Sequence, residues 1–152
     1  MKYRILSVLL LVFAVIGSGC GGAPIASAAN ASPESGPVVV EDQASLVAAL
    51  EAAGASIEAG DPVEQPFFTP LGNIVKVNGA DVQVFQYESA EAMENEAAQV
   101  APDGGSIGTS MVSWMDTPHF YKTGRIIVLY VGSDETVLGL LESAVGPQFA
   151  GR

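Results

Sequence analysis

Between Val75 and Val84 apolar and polar residues alternate on either side of Asn78-Gly79. Asn-Gly is the preferred two-residue hairpin turn, because both central positions need a positive φ. The pattern predicts a register in which Val77 faces Ala80, Lys76 faces Asp81 and Val75 faces Val82. One face is then wholly apolar, carrying Val75, Val77, Ala80, Val82 and Val84, while the other sets Lys76 opposite Asp81, an ion pair suited to solvent. Phe85 and Tyr87 continue that polar face, so something is expected to cover its far end.

Elsewhere the apolar spacing lengthens to that of helices. Leu46, Val47 and Leu50 share a face behind Glu41 and Asp42, and Gly54 is a natural stop, which predicts a helix over 43–53. A second helix is predicted over 89–100, capped by Ser89, with a thin stripe of Met93, Ala97 and Val100. A third is predicted to open at Ser133-Asp134-Glu135, with Val137, Leu138, Leu141 and Val145 on one side and Gly146-Pro147 as its stop. Residues 63–69 sit among Pro62, Pro66 and Pro70, and make at best an edge strand. Ser106 to Met115 reads as one strand. Residues 119–122 and 125–131 read as a second hairpin around Thr123-Gly124. Ile126 to Val131 is apolar on both faces and is therefore expected in the centre of a sheet. Residues 74–100 and 119–145 both run strand, turn, strand, Ser, helix, which suggests two ββα units. The expected fold is α+β: an antiparallel sheet of about five strands with helices on one face.

The N-terminus departs from all of this. Lys2 and Arg4 precede an apolar run, Ile5 to Ile16, which ends in Gly17-Ser18-Gly19-Cys20. A run of twelve residues is too short for a spanning helix, which needs about 20, and the layout is that of a secretory signal. The segment resembles a bacterial lipoprotein signal. In that family small residues precede a cysteine that becomes the acylated N-terminus after cleavage. Gly17 stands where the family usually has an aliphatic residue, and Ala26-Ser27-Ala28 offers a rival cut. The resemblance implies residues 1–19 as signal peptide, lipid on Cys20, and an extracytoplasmic protein anchored to the bacterial cell membrane. Residues 20–40 then form a tether rich in Ala, Ser, Gly and Pro, and 41–152 a single domain. That domain is similar to small secreted bacterial domains of no assigned activity.

Composition narrows the chemistry. Cys20 is the sole cysteine, so a lipidated chain has no thiol left for a disulfide, a thiolate metal site or a nucleophile. Of the 6 basic residues, Lys2 and Arg4 go with the signal, leaving 4 against 17 acidic ones and a net charge of −13. Such a surface repels phosphate backbones, so no nucleic-acid partner is expected.

Gly104-Gly105-Ser106-Ile107-Gly108 matches the G-x-S-x-G nucleophile pattern, and Asp116 and His119 follow in hydrolase order. The pattern needs a strand before the serine and a helix after it. Here a helix and a Pro-Asp-Gly-Gly loop precede, and a strand follows, so no catalytic residue is assigned. His119 is the only histidine, no ligand spacing surrounds it, and neither metal nor cofactor is expected. The densest aromatic cluster is Trp114, Met115, His119, Phe120 and Tyr121. Aromatics beside a bend either close a core or mark a recognition surface. The candidate binding residues are therefore Trp114, His119, Phe120 and Tyr121, for a protein or small-molecule partner. The first expectation is a non-enzymatic, membrane-anchored binding module; a structural envelope component and an enzyme of another type remain the alternatives.

Overall fold

The structure is a computed structural model, and it describes residues 39–152. The signal segment, Cys20 and the tether up to residue 38 lie outside the described residues. The elements run α1 (Gln43–Ala52), β1 (Ile57–Val63), β2 (Gly72–Val77), β3 (Ala80–Gln86), α2 (Ala90–Ala97), β4 (Ser106–Ile107), β5 (Ser110–Met111), β6 (Pro118–Thr123), β7 (Ile126–Val131), α3 (Glu135–Val145) and β8 (Ala150–Gly151). Six strands form one antiparallel sheet in the order β1-β2-β3-β7-β6-β8, and β4 pairs with β5 alone. The fold is α+β.

The first hairpin has the expected register, Val77 to Ala80, Lys76 to Asp81 and Val75 to Val82. Asn78 and Gly79 both have positive φ, 52° and 86°, as a tight turn matching the twist of its strands requires. Lys76 Nζ sits 2.6 Å from Asp81 Oδ1 on the solvent side. Each helix starts on a side-chain cap. Asp42 accepts from the Ser45 amide, Ser89 from Ala92, and Asp134 from Thr136 and Val137, which satisfies amides that have no carbonyl partner inside the helix.

Alternation along the strands divides the core in two. Val75, Val77, Val82, Val84, Val128 and Tyr130 point to one face, where Leu46 and Leu50 of α1 and Val137 and Leu141 of α3 cover them. Phe85, Ile127, Leu129 and Phe120 point to the other, covered by Met93 and Ala97 of α2 together with Phe68, Val100 and Ile107. The expectation of helices on one face therefore holds for α1 and α3 and fails for α2. The reason is the run of β7: Ile126 to Tyr130 is fully buried on both sides, so both faces need a cover. The two ββα units keep the same order of elements, but α2 and α3 dock on opposite faces. With β3 and β7 adjacent and antiparallel, the units have opposite hand, and no rotation superimposes them.

Three further segments differ from the expectation. The edge strand is Ile57–Val63, earlier than 63–69, and its ladder is broken between Ala59 and Pro62. Glu58, Asp61 and Pro62 with that irregularity blunt a free edge against pairing with another chain. Residues 106–115 are not one strand but a short hairpin, β4-β5, followed by irregular chain. β8 was not anticipated, since two residues carry no period. It closes the other edge against His119 and Phe120.

The entry of the chain is pinned at the β6–β7 turn. Thr123 Oγ1 donates to the Val40 carbonyl at 3.0 Å, the Arg125 amide donates to the Glu41 carbonyl, and the Arg125 guanidinium lies 3.3 Å from Asp42 Oδ2. The Ser45 amide and hydroxyl, then Arg125, hold the Asp42 carboxyl below its ordinary value. Gly124 has a φ of 51°, and a Cβ there would overlap the Glu41 backbone, so this turn accepts the incoming strand only without a side chain. Residues 40–42 are thus fixed to one end of the sheet.

Candidate interaction site

The other end of β6 carries the exposed chemistry. Between α2 and β6 the chain makes an excursion, residues 98–117, over the face that α2 covers. It is tied down by backbone bonds: the Ala101 amide donates to the Ser106 carbonyl, Gly108 to Gln99, and Val112 to Gly105. The Trp114 indole donates to the Gly104 carbonyl at 2.7 Å, and its ring meets Phe120 and Phe67 edge-on at 5.7 and 6.0 Å. Half of Trp114 is therefore anchored in the core, and the rest faces a cleft of about 360 Å³ that it lines with Asp103, Val112, Asp116, Pro118 and Arg152.

Met111 and Met115 belong to the same excursion but are not among the residues lining the cleft, and they are fully in solvent, with relative exposures of 92% and 102%. Among the described residues the other exposed large apolar side chains are Val39 and Leu71. The two methionines have the same parity in the chain, and Val112 and Trp114 the opposite parity. No pattern in the sequence singled out Met111, Asp103 or Arg152.

The four residues expected at a binding surface do not form one. Trp114 and Phe120 belong to the α2 side, while Tyr121 belongs to the α1–α3 side, and Phe120 and Tyr121 are buried core. Burial and the nearby Glu142 carboxylate push the Tyr121 hydroxyl above its ordinary value. His119 is buried too. Its Nδ1 bonds Gln148 Oε1 at 2.7 Å, its ring stacks on Tyr130, and its Nε2 has no partner. Of the four, Trp114 alone lines the cleft.

The G-x-S-x-G residues likewise do not assemble into a triad. Ser106 opens β4 and Gly108 turns the hairpin with a φ of 57°, so the segment is strand-turn-strand. Asp116 Oδ1 accepts from the Thr117 amide at 2.7 Å rather than from His119. Among the described residues there is no group of three or more His, Cys, Asp or Glu able to hold a metal ion, and no helix is long and apolar enough to cross a membrane.

A second polar cluster lies at the end of β3 and has a structural use. Glu96 accepts from the Tyr87 hydroxyl at 2.8 Å, from the Thr69 amide at 3.1 Å, and from the Thr69 hydroxyl. It clamps the 64–71 loop onto α2. Burial, then the bond to Glu96 and its charge, push the Tyr87 hydroxyl far above its ordinary value.

No protein-family model, curated protein or solved structure matches this chain.

Proposed function

We propose that this chain is a lipid-anchored extracytoplasmic lipoprotein whose domain docks a partner at the Trp114 cleft and carries out no catalysis of its own. The observation that carries the reading is a cleft walled by Trp114, in a segment whose Met111 and Met115 are fully exposed. Aromatic-lined clefts are where ligands and partners preferentially bind. Its position supports the reading. The chain enters the domain at the Thr123 end of β6, and the cleft lies at the Pro118 end. Five residue steps of strand, about 17 Å, separate the two. A tether on Cys20 holds the first end, and the second is left to meet other molecules.

The test is photo-crosslinking in the native cell, with a photoreactive residue at Met115 or at Glu64 in the parent and in Cys20→Ala. The parent is expected in the membrane fraction with a discrete adduct from position 115 and none from 64. Cys20→Ala is expected to lose lipid labelling and leave that fraction. Equal adducts from both positions, or covalent labelling of Ser106 by a fluorophosphonate, would overturn the reading.

A further inference from the structure

We propose that His119 is an acid-sensitive latch: taking up a proton on its imidazole loosens residues 146–152 from β6 and, with them, the Arg152 wall of the cleft. The inference adds regulation to the docking reading above and rests on it only for the use of the cleft.

His119 is the only histidine of the chain. Its Nε2 is the one buried side-chain nitrogen or oxygen among the described residues that lacks a hydrogen-bond partner. The other ring nitrogen meets Gln148 Oε1 at 2.7 Å, on the segment that follows α3. A neutral imidazole has one N–H to place, and that acceptor takes it. An imidazolium has two, and the second sits at a buried atom with no acceptor. The groups packed around the ring supply no counter-charge. β7 brings the Tyr130 ring, stacked at 6.1 Å, whose hydroxyl accepts from the Asp134 amide. At the start of α3 the Asp134 carboxylate is taken by the Thr136 and Val137 amides. Glu142 of α3 lies beside Tyr121, two residues along β6. Just past β8, Arg152 adds a cation rather than a carboxylate, and no acidic residue is ion-paired with His119 among the described residues. Burying an uncompensated charge is costly, so the protonated ring favours an arrangement in which 146–152 has moved away and water reaches it. The open form then holds more protons than the closed one, and acid shifts the population toward it.

The same segment reaches the cleft at the tip of the domain, on the other side of the sheet. β8 pairs only with His119 and Phe120. The Phe149 amide donates to the Phe120 carbonyl, the Gly151 amide to the Pro102 carbonyl in the excursion, and the Arg152 amide to the Pro118 carbonyl. Gly151 has a φ of 107°, and a Cβ on it would overlap the Pro118 carbonyl, so β8 lies closer to β6 than a side chain would allow. Arg152 then lines the cleft with Trp114. One short segment thus touches the buried imidazole at Gln148 and forms a wall of the cleft at Arg152. Coupling requires just such an element, with two arrangements that both sites bias.

The single histidine and single tryptophan make both ends of the latch readable. Hydrogen exchange is measured on the full chain in nanodiscs of zwitterionic lipid, as protection relative to the intrinsic rate at each pH, with residues 126–131 as reference. From about pH 7 to about pH 5.5, one unit below the ordinary histidine value, protection of 149–152 is expected to fall on the order of tenfold while 126–131 keep theirs. Acrylamide quenching of Trp114 is expected to rise over the same range. His119→Phe cannot take up the proton and should remove both responses. Gln148→Glu sets a carboxylate against the imidazolium and should keep the segment closed at the lower pH, which decides the matter even where His119→Phe does not fold. A parent that loses no protection in acid, or an acid response that survives in the variants, would refute the latch. Lost protection without any change at Trp114 would sever it from the cleft and overturn the inference. None of these readings uses a partner, so they hold or fail apart from docking, which crosslinking at position 115 tests.

Discussion

The β2–β3 hairpin and the 98–117 excursion are both apolar-rich, and they spend their apolar residues in opposite ways. In the hairpin Val75, Val77, Val82, Val84 and Phe85 are at most 2% exposed, and Lys76 pairs with Asp81 across the strands. In the excursion Ile107 is buried and Val112 and Trp114 are half covered, yet Met111 and Met115 stand in water. The hairpin satisfies its own requirements within the domain. The excursion keeps two large apolar side chains in water that the domain does not bury. The difference separates residues that make the fold from residues that the fold does not bury.

The comparison breaks most visibly in the core. Phe85→Ala, from a position with no exposure, is expected to cost about 3–5 kcal/mol, read as a lower urea midpoint. A change under about 1 kcal/mol would mean that the α2 face is not packed as described. Gly79→Val tests the turn that sets the register. At a φ of 86° with open space around it, the cost is backbone strain alone, about 1–2 kcal/mol, and a variant that melts with the parent would refute the turn.

Tyr87 lies where β3 runs out toward the excursion, and it links stability to alkaline pH. Its hydroxyl titrates above the ordinary value in the folded chain, so the folded state keeps a proton that the unfolded state gives up. The contribution is complete below the unfolded value, about 10, and drains away as pH rises from there toward the folded value. Tyr87→Phe should therefore flatten the decline of the urea midpoint above that pH. Parallel declines in parent and variant would show that the Tyr87–Glu96 bond has no such role.

The hairpin was legible in the sequence because turn chemistry and alternation agree there, and each alone fixes the same register. The three helices were legible from their caps and stops. The placement of α2 was not, because its stripe of Met93 and Ala97 says that it is covered and not by which face; the double-sided burial of Ile126 to Tyr130 was the clue that a second cover was needed. β1 was displaced because Pro62 lies within it, at the irregularity in its ladder, where a missing amide is tolerated. The aromatic cluster misled for a simple reason. Strand alternation sends His119 and Tyr121 one way and Phe120 the other, so neighbours in sequence became residents of different cores. The cleft itself joins Asp103, Trp114, Asp116 and Arg152 across turns and the far edge strand, and nothing periodic announces such a meeting.

The most direct measurement pairs stability with interaction in one variant. In Met111→Ser/Met115→Ser the urea midpoint should match the parent to within about 0.5 kcal/mol of stability, while the crosslinked adduct from a photoreactive residue at Thr109 should disappear. A clearly lowered midpoint would show that the methionines belong to the fold, and an adduct that persists at full yield would show that the tip is not where the partner docks.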